Sequence, residues 1–93
     1  MTSMSNEESK MINEAQKKLN WAALSYKAKF RCEVIGYDGN DYRVRFDHRG
    51  RFITIESIPK KEINDLKRGV RNSPYLEQLF GWVSQMVEGK GKS

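Results

Sequence analysis

A chain of 93 residues with 38% apolar and 31% charged residues, two Pro, seven Gly and one Cys has room for a single domain with a small core. That composition excludes collagen-like, Pro/Gly-rich disordered and disulfide-stapled classes. The 17 basic against 12 acidic residues leave a formal charge of +5, which favours an acidic or polyanionic partner.

Residues 5–26 read as a helix. Ser5 and Glu8 have the spacing of a capping box, and Ile12, Ala15, Leu19, Ala22 and Tyr26 recur at three- and four-residue steps, flanked by Met11 and Ala23. Lys10, Glu14, Lys17 and Lys18 occupy the opposite side, and the helix is expected to end between Leu24 and Ala28. From Lys29 the period drops to two. Phe30, Cys32 and Val34 alternate with Arg31, Glu33 and Ile35; Tyr42, Val44 and Phe46 alternate with Arg43, Arg45 and Asp47; and Phe52–Ser57 follows the turn Asp47–Gly50. Residues 29–57 are therefore expected to form a three-stranded antiparallel meander.

Strand parity constrains the two turns. Facing Val44 and Phe46 toward Cys32 and Val34 requires a β-bulge or an odd-length first loop, either Asp38-Gly39-Asn40 or Gly39-Asn40-Asp41. A two-residue Arg49-Gly50 turn would then set Phe46 opposite Ile53 and Val44 opposite Ile55, leaving Arg43, Arg45 and Phe52 on the other side. Residues 58–72 read as a basic turn, with Pro59 at a helical first-turn position, Ile63 and Leu66 apolar and Gly69 as a stop. Ser73-Pro74 opens a helix over 74–88, whose stripe of Leu76, Leu79, Phe80, Val83, Met86 and Val87 is widened by Tyr75 and Trp82. Residues 89–93 are expected to fray.

The fold class is thus α+β: an N-terminal helix, a small antiparallel meander or barrel, and a C-terminal helix packed on it, all within one domain over 1–93. One Cys suits a reducing compartment, no apolar run approaches the roughly 18 residues of a membrane span, and Met1–Glu8 lacks the regions of a signal peptide. A cytoplasmic protein without membrane association is expected.

The stretch Phe30–Gly39, then Asp41–Phe46, the Ile53 strand and the Ile58-Pro59 turn resembles the SH3-like small barrels, a group that includes Tudor, chromo-barrel and KOW-type modules. Asp38-Gly39 followed by Tyr42 matches their layout. The resemblance implies a barrel of four or five short strands binding a peptide or nucleic acid on an exposed face. In the Tudor branch the ligand is a methylated Lys or Arg, and Tyr37, Tyr42 and Phe46 are the positions where its aromatics would fall.

Charge divides unevenly along the chain. Residues 29–57 hold six basic and five acidic groups, whereas 58–73 hold five and two: Lys60, Lys61, Lys67, Arg68 and Arg71 against Glu62 and Asp65. That cluster, with Arg43 and Arg45 projecting together and Arg49 and Arg51 extending their line, is the expected nucleic-acid surface, because phosphates need only cations placed along a groove. Glu33, Asp47 and Glu56 are expected to neutralise part of the strand line as cross-strand pairs.

Cys32 and His48 have no metal-ligand or nucleophile–base spacing around them, so no catalytic residue, metal or cofactor is expected; Cys32 reads as core and His48 as a solvated turn residue. A carboxylate-only active site would need a cleft around Glu33, Asp47 or Glu56. The leading expectation is a small non-enzymatic module that contacts DNA or RNA through a basic face. The alternative is a protein-interaction factor that binds an acidic protein surface, as an adaptor or an inhibitor of a larger enzyme such as phages and mobile elements encode. It would use Tyr37, Tyr42 and Trp82, with homodimerisation through the C-terminal helix.

Overall fold

The helical period of the N-terminal segment becomes α1, Asn6–Tyr26, in a computed structural model that describes residues 6–70 and 73–89; Ser5 of the expected capping box lies outside them. Ala15 and Leu19 are buried, with Met11, Ile12, Ala22 and Ala23 packed beside them. The helix stops because Lys27 turns left-handed (φ 63°). Its N–H bonds Leu24 O at 3.0 Å and the Ala28 N–H bonds Ala23 O at 2.9 Å, the paired bonds of a Schellman termination.

Three antiparallel strands follow, β1 Arg31–Tyr37, β2 Asp41–His48 and β3 Arg51–Pro59, in the order β1-β2-β3. The first turn is tight. Asp38 N–H bonds Asp41 O at 3.1 Å, the Asp38 carboxylate accepts the N–H groups of Asn40 and Asp41 at 2.9 and 2.8 Å, and Gly39 takes φ 100°. Those backbone donors hold the Asp38 carboxyl below its usual range. Cys32 faces Phe46 and Val34 faces Val44, and a bulge between Val34 and Gly36 supplies the parity this pairing needs.

The second turn is the two-residue Arg49-Gly50, both at positive φ (54° and 79°), which suits the right-handed twist of a hairpin. Its expected register is corrected, however. Pairing shifts between Phe46 and Asp47, so Phe46 faces Thr54 and Val44 faces Glu56. The cause is one extra residue, Ile53, in β3. Ile55 is thereby turned to the side of Arg43 and Arg45, Ile58 takes the place opposite Tyr42, and Glu56 turns inward, where it accepts the Thr54 hydroxyl at 2.8 Å.

Pro59 precedes a two-turn helix, α2 Lys60–Lys67, which buries Ile63 and Leu66 and ends as α1 does, this time with Gly69 (φ 93°) at the left-handed position. Ser73 then caps α3, Pro74–Gly89. Its hydroxyl oxygen accepts the Leu76 N–H at 3.2 Å and donates its proton to Glu62 at 2.7 Å, so one buried serine both starts α3 and ties it to α2.

The result is α+β in two layers. Cys32, Val34, Tyr42, Val44, Phe46 and Ile58 form the inner sheet face, against Leu19, Ile63, Leu66, Leu76, Phe80 and Val83 from the helices. The described sheet is open, with three strands and two edges. Among the described residues, no helix is long and apolar enough to cross a membrane.

Candidate functional site

The sheet face away from the helices is built by alternation. Arg45 stands between Glu33 and Ile55, Arg43 between Gly36 and Ser57, and Asp47 between Arg31 and Phe52. Arg31, Glu33, Arg43, Phe52, Ile55 and Ser57 are exposed, Arg45 is half-buried among them, and Phe52 keeps 56% of its surface open. Opposition of charges does not produce ion pairs here. The three ion pairs among the described residues are Lys29–Glu88, Lys67–Glu14 and Arg68–Asp65, so the cross-strand neutralisation expected from Glu33 and Asp47 is not formed, and Glu56 has left this face. The Arg45 guanidinium carbon lies over the Phe52 ring, 5.3 Å from its centroid, and its buried Nε has no hydrogen-bond partner. A cation over an aromatic face is attracted by the ring quadrupole, but that contact leaves the N–H donor unsatisfied.

The other basic residues lie elsewhere. Arg49 is at the hairpin tip. Arg51 pairs with His48, one step out of phase with Asp47 and Phe52, so it belongs to the opposite face and does not extend the Arg43–Arg45 line as expected. His48 is held in place, its Nδ1–H donating to Lys29 O at 2.8 Å. Lys60, Lys61, Lys67 and Arg68 line a shallow concavity on α2 with Asn64. Lys67 reaches Glu14 at 3.1 Å and Arg68 reaches Asp65 at 2.7 Å, and the hydrogen bond and charge of Lys67 lower the Glu14 pKa. Arg71 lies outside the described residues.

Of the aromatics expected to meet a partner, Tyr42 is corrected to core. It is 0% exposed, stacked on Tyr37 at 4.7 Å, and burial raises its phenol pKa. Its parity with Val44 and Phe46 is the physical reason, and Phe46 is equally buried, so the aromatic positions implied by the Tudor resemblance do not open onto a surface cage. Tyr37 is half-buried with its hydroxyl on Gly39 O, whereas Trp82 is 47% exposed.

Burial, with Asp47 adding to it, pushes the Cys32 thiol up to about 12, so it stays protonated at neutral pH and packs as a small apolar group. No cluster of metal-ligating side chains occurs among the described residues. Glu33 and Asp47 border a groove between α1 and β1, lined also by Asn20, Leu24 and Phe30. Gln16 crosses it: its amide donates to Cys32 O at 2.8 Å and its oxygen accepts the Val34 N–H at 2.7 Å, occupying the backbone groups another strand would use. Gln16→Ala is expected to cost about 1–3 kcal/mol and to raise self-association, checked by urea unfolding and light scattering. A wild-type midpoint with no added association would refute this role.

Alternation alone marks Phe52 as outward, whereas Ile55 carries no such mark, because a bulge leaves no local signal in the sequence. Neither a family model, nor a curated protein, nor a solved structure matches this chain, so the reading of its exposed sheet face rests on the residues themselves.

Proposed function

We propose that the chain is a small non-enzymatic module, acting in the cytoplasm without a cofactor, that binds nucleic acid through the outer face of its sheet. The observation that carries this reading is a set of cations free of ion pairs, exposed Arg31 and Arg43 with half-buried Arg45, beside the exposed side chains of Phe52 and Ile55. Arginine suits the task because its planar fork donates two hydrogen bonds to a phosphate and also stacks on bases. The α2 concavity is a flanking contact, partly neutralised by Glu14 and Asp65. Anisotropy titrations with labelled oligonucleotides are expected to show binding at about 50 mM salt that weakens steeply by about 200 mM. Undetectable affinity for every DNA and RNA at the lower salt would overturn the proposal.

A second reading is favoured by α3, where Tyr75, Trp82 and Met86 recur at helical spacing beside the buried stripe, with Trp82 47% exposed. Such a surface suits an adaptor, an inhibitor or a homodimer. A complex that survives nuclease treatment and is lost on Trp82→Ser favours it over nucleic-acid binding.

A further inference from the structure

Resting on the nucleic-acid reading, we infer that the ligand of the outer sheet face is single-stranded RNA, with an unstacked base on Phe52 and Arg45 and ribose hydroxyls read by Glu33. Three observations converge. Phe52 stands 56% exposed on the same face as Arg45, and an aromatic ring can receive a base only when that base is not already stacked inside a duplex. The Arg45 guanidinium already lies over the Phe52 ring, 5.3 Å from its centroid, which holds the arginine where a stack would form and leaves its outer N–H groups for a base edge or phosphate oxygen. Finally, Glu33 faces Arg45 across the strands, exposed and in no ion pair. A bare carboxylate within a phosphate-binding surface repels the backbone unless the ligand brings a donor, and the ribose 2′-hydroxyl is the donor that DNA lacks. Ser57, opposite Arg43 on the same face, offers a second hydroxyl partner.

Full-length protein titrated with a labelled single-stranded RNA of about 12 nucleotides, with DNA of the same sequence and with the corresponding RNA duplex tests this at about 50 mM salt. Single-stranded RNA is expected to bind tightest. Phe52→Ala should weaken it about tenfold without changing the slope of log affinity against log salt, and Phe52→Trp should retain it. Glu33→Ala removes a negative charge, so it should strengthen DNA binding while leaving RNA binding no tighter, which narrows the RNA-to-DNA ratio. Because both side chains point to solvent, thermal unfolding by circular dichroism should match the parent. The inference is overturned if duplex binds as tightly as single strand, if Phe52→Ala is neutral, if Glu33→Ala strengthens RNA and DNA alike, or if only a protein partner is found. Salt-dependent binding that shows any of the first three leaves the broader nucleic-acid reading standing; absence of all oligonucleotide binding removes both.

Discussion

Phe80→Ala is expected to cost about 3–5 kcal/mol, a large share of the stability of a fold this small. Phe80 is 2% exposed and meets three aromatic rings edge-to-face, Tyr26 and Phe30 at 5.5 Å and Phe46 at 6.5 Å. Those partners come from the end of α1, the approach to β1 and the centre of β2, so one side chain of α3 joins it to the first helix and the sheet at once. A domain of this size has only about 5–14 kcal/mol in total on a per-residue scale, so the variant should lose roughly a fifth of its stability at the least and nearly all of it at the most. Urea unfolding should show the midpoint collapse, and amide exchange should show whether α1 and the sheet lose protection together with α3. Trp82→Ala, two residues on and 47% exposed, should cost no more than about 1 kcal/mol. Equal losses from the two would contradict the assignment of Leu76, Phe80 and Val83 as the side of α3 that carries the fold.

What could be read in advance follows from how local each decision is. The helical stripe of Ala15 and Leu19, the Ser73-Pro74 start and the Arg49-Gly50 turn each depend on a few neighbouring residues, and each is present. The two bulges depend on how a whole sheet meets its helices. The one at Ile35 restores the expected pairing of Val34 with Val44, whereas the one at Ile53 breaks the expected pairing of Phe46. That second shift brought Ile55 to the outer face and took Glu56 off it, making the surface more apolar and less acidic than the alternation of β3 alone indicates. Tyr42 is a different case. Its place in phase with Val44 and Phe46 is visible in the sequence, the Tudor resemblance instead makes it a contact residue, and its burial follows from phase. Opposite signs that face one another across strands predict neutralising pairs. Facing across strands fixes Cα positions and leaves long side chains free to point apart, so Arg31 and Asp47, and Glu33 and Arg45, sit opposite without pairing.

That distinction sets the largest functional effect. Replacing Arg43 and Arg45 together by Gln is expected to lower oligonucleotide affinity about a hundredfold at about 50 mM salt and to flatten the salt dependence by about 0.7 for each phosphate no longer neutralised. Lys60→Gln with Lys61→Gln removes the same two charges from α2, so the net charge of the two double variants is identical. If the whole +5 charge attracted the ligand without a defined site, they would behave alike, since a diffuse field depends on total charge and decays over a Debye length of about 10 Å at 0.1 M salt. Contacts made by placed donors depend on position. Arg43 and Arg45 stand two residues apart on one strand, on the face that carries Phe52, whereas Lys60 and Lys61 line a concavity that shares no residue with that face. The lysine variant is therefore expected to lose about threefold or less. Measured side by side at several salt concentrations, a larger loss in the arginine variant places the ligand on the sheet. A larger loss in the lysine variant moves the site to α2, and equal losses leave only the diffuse field and refute a built site on either surface.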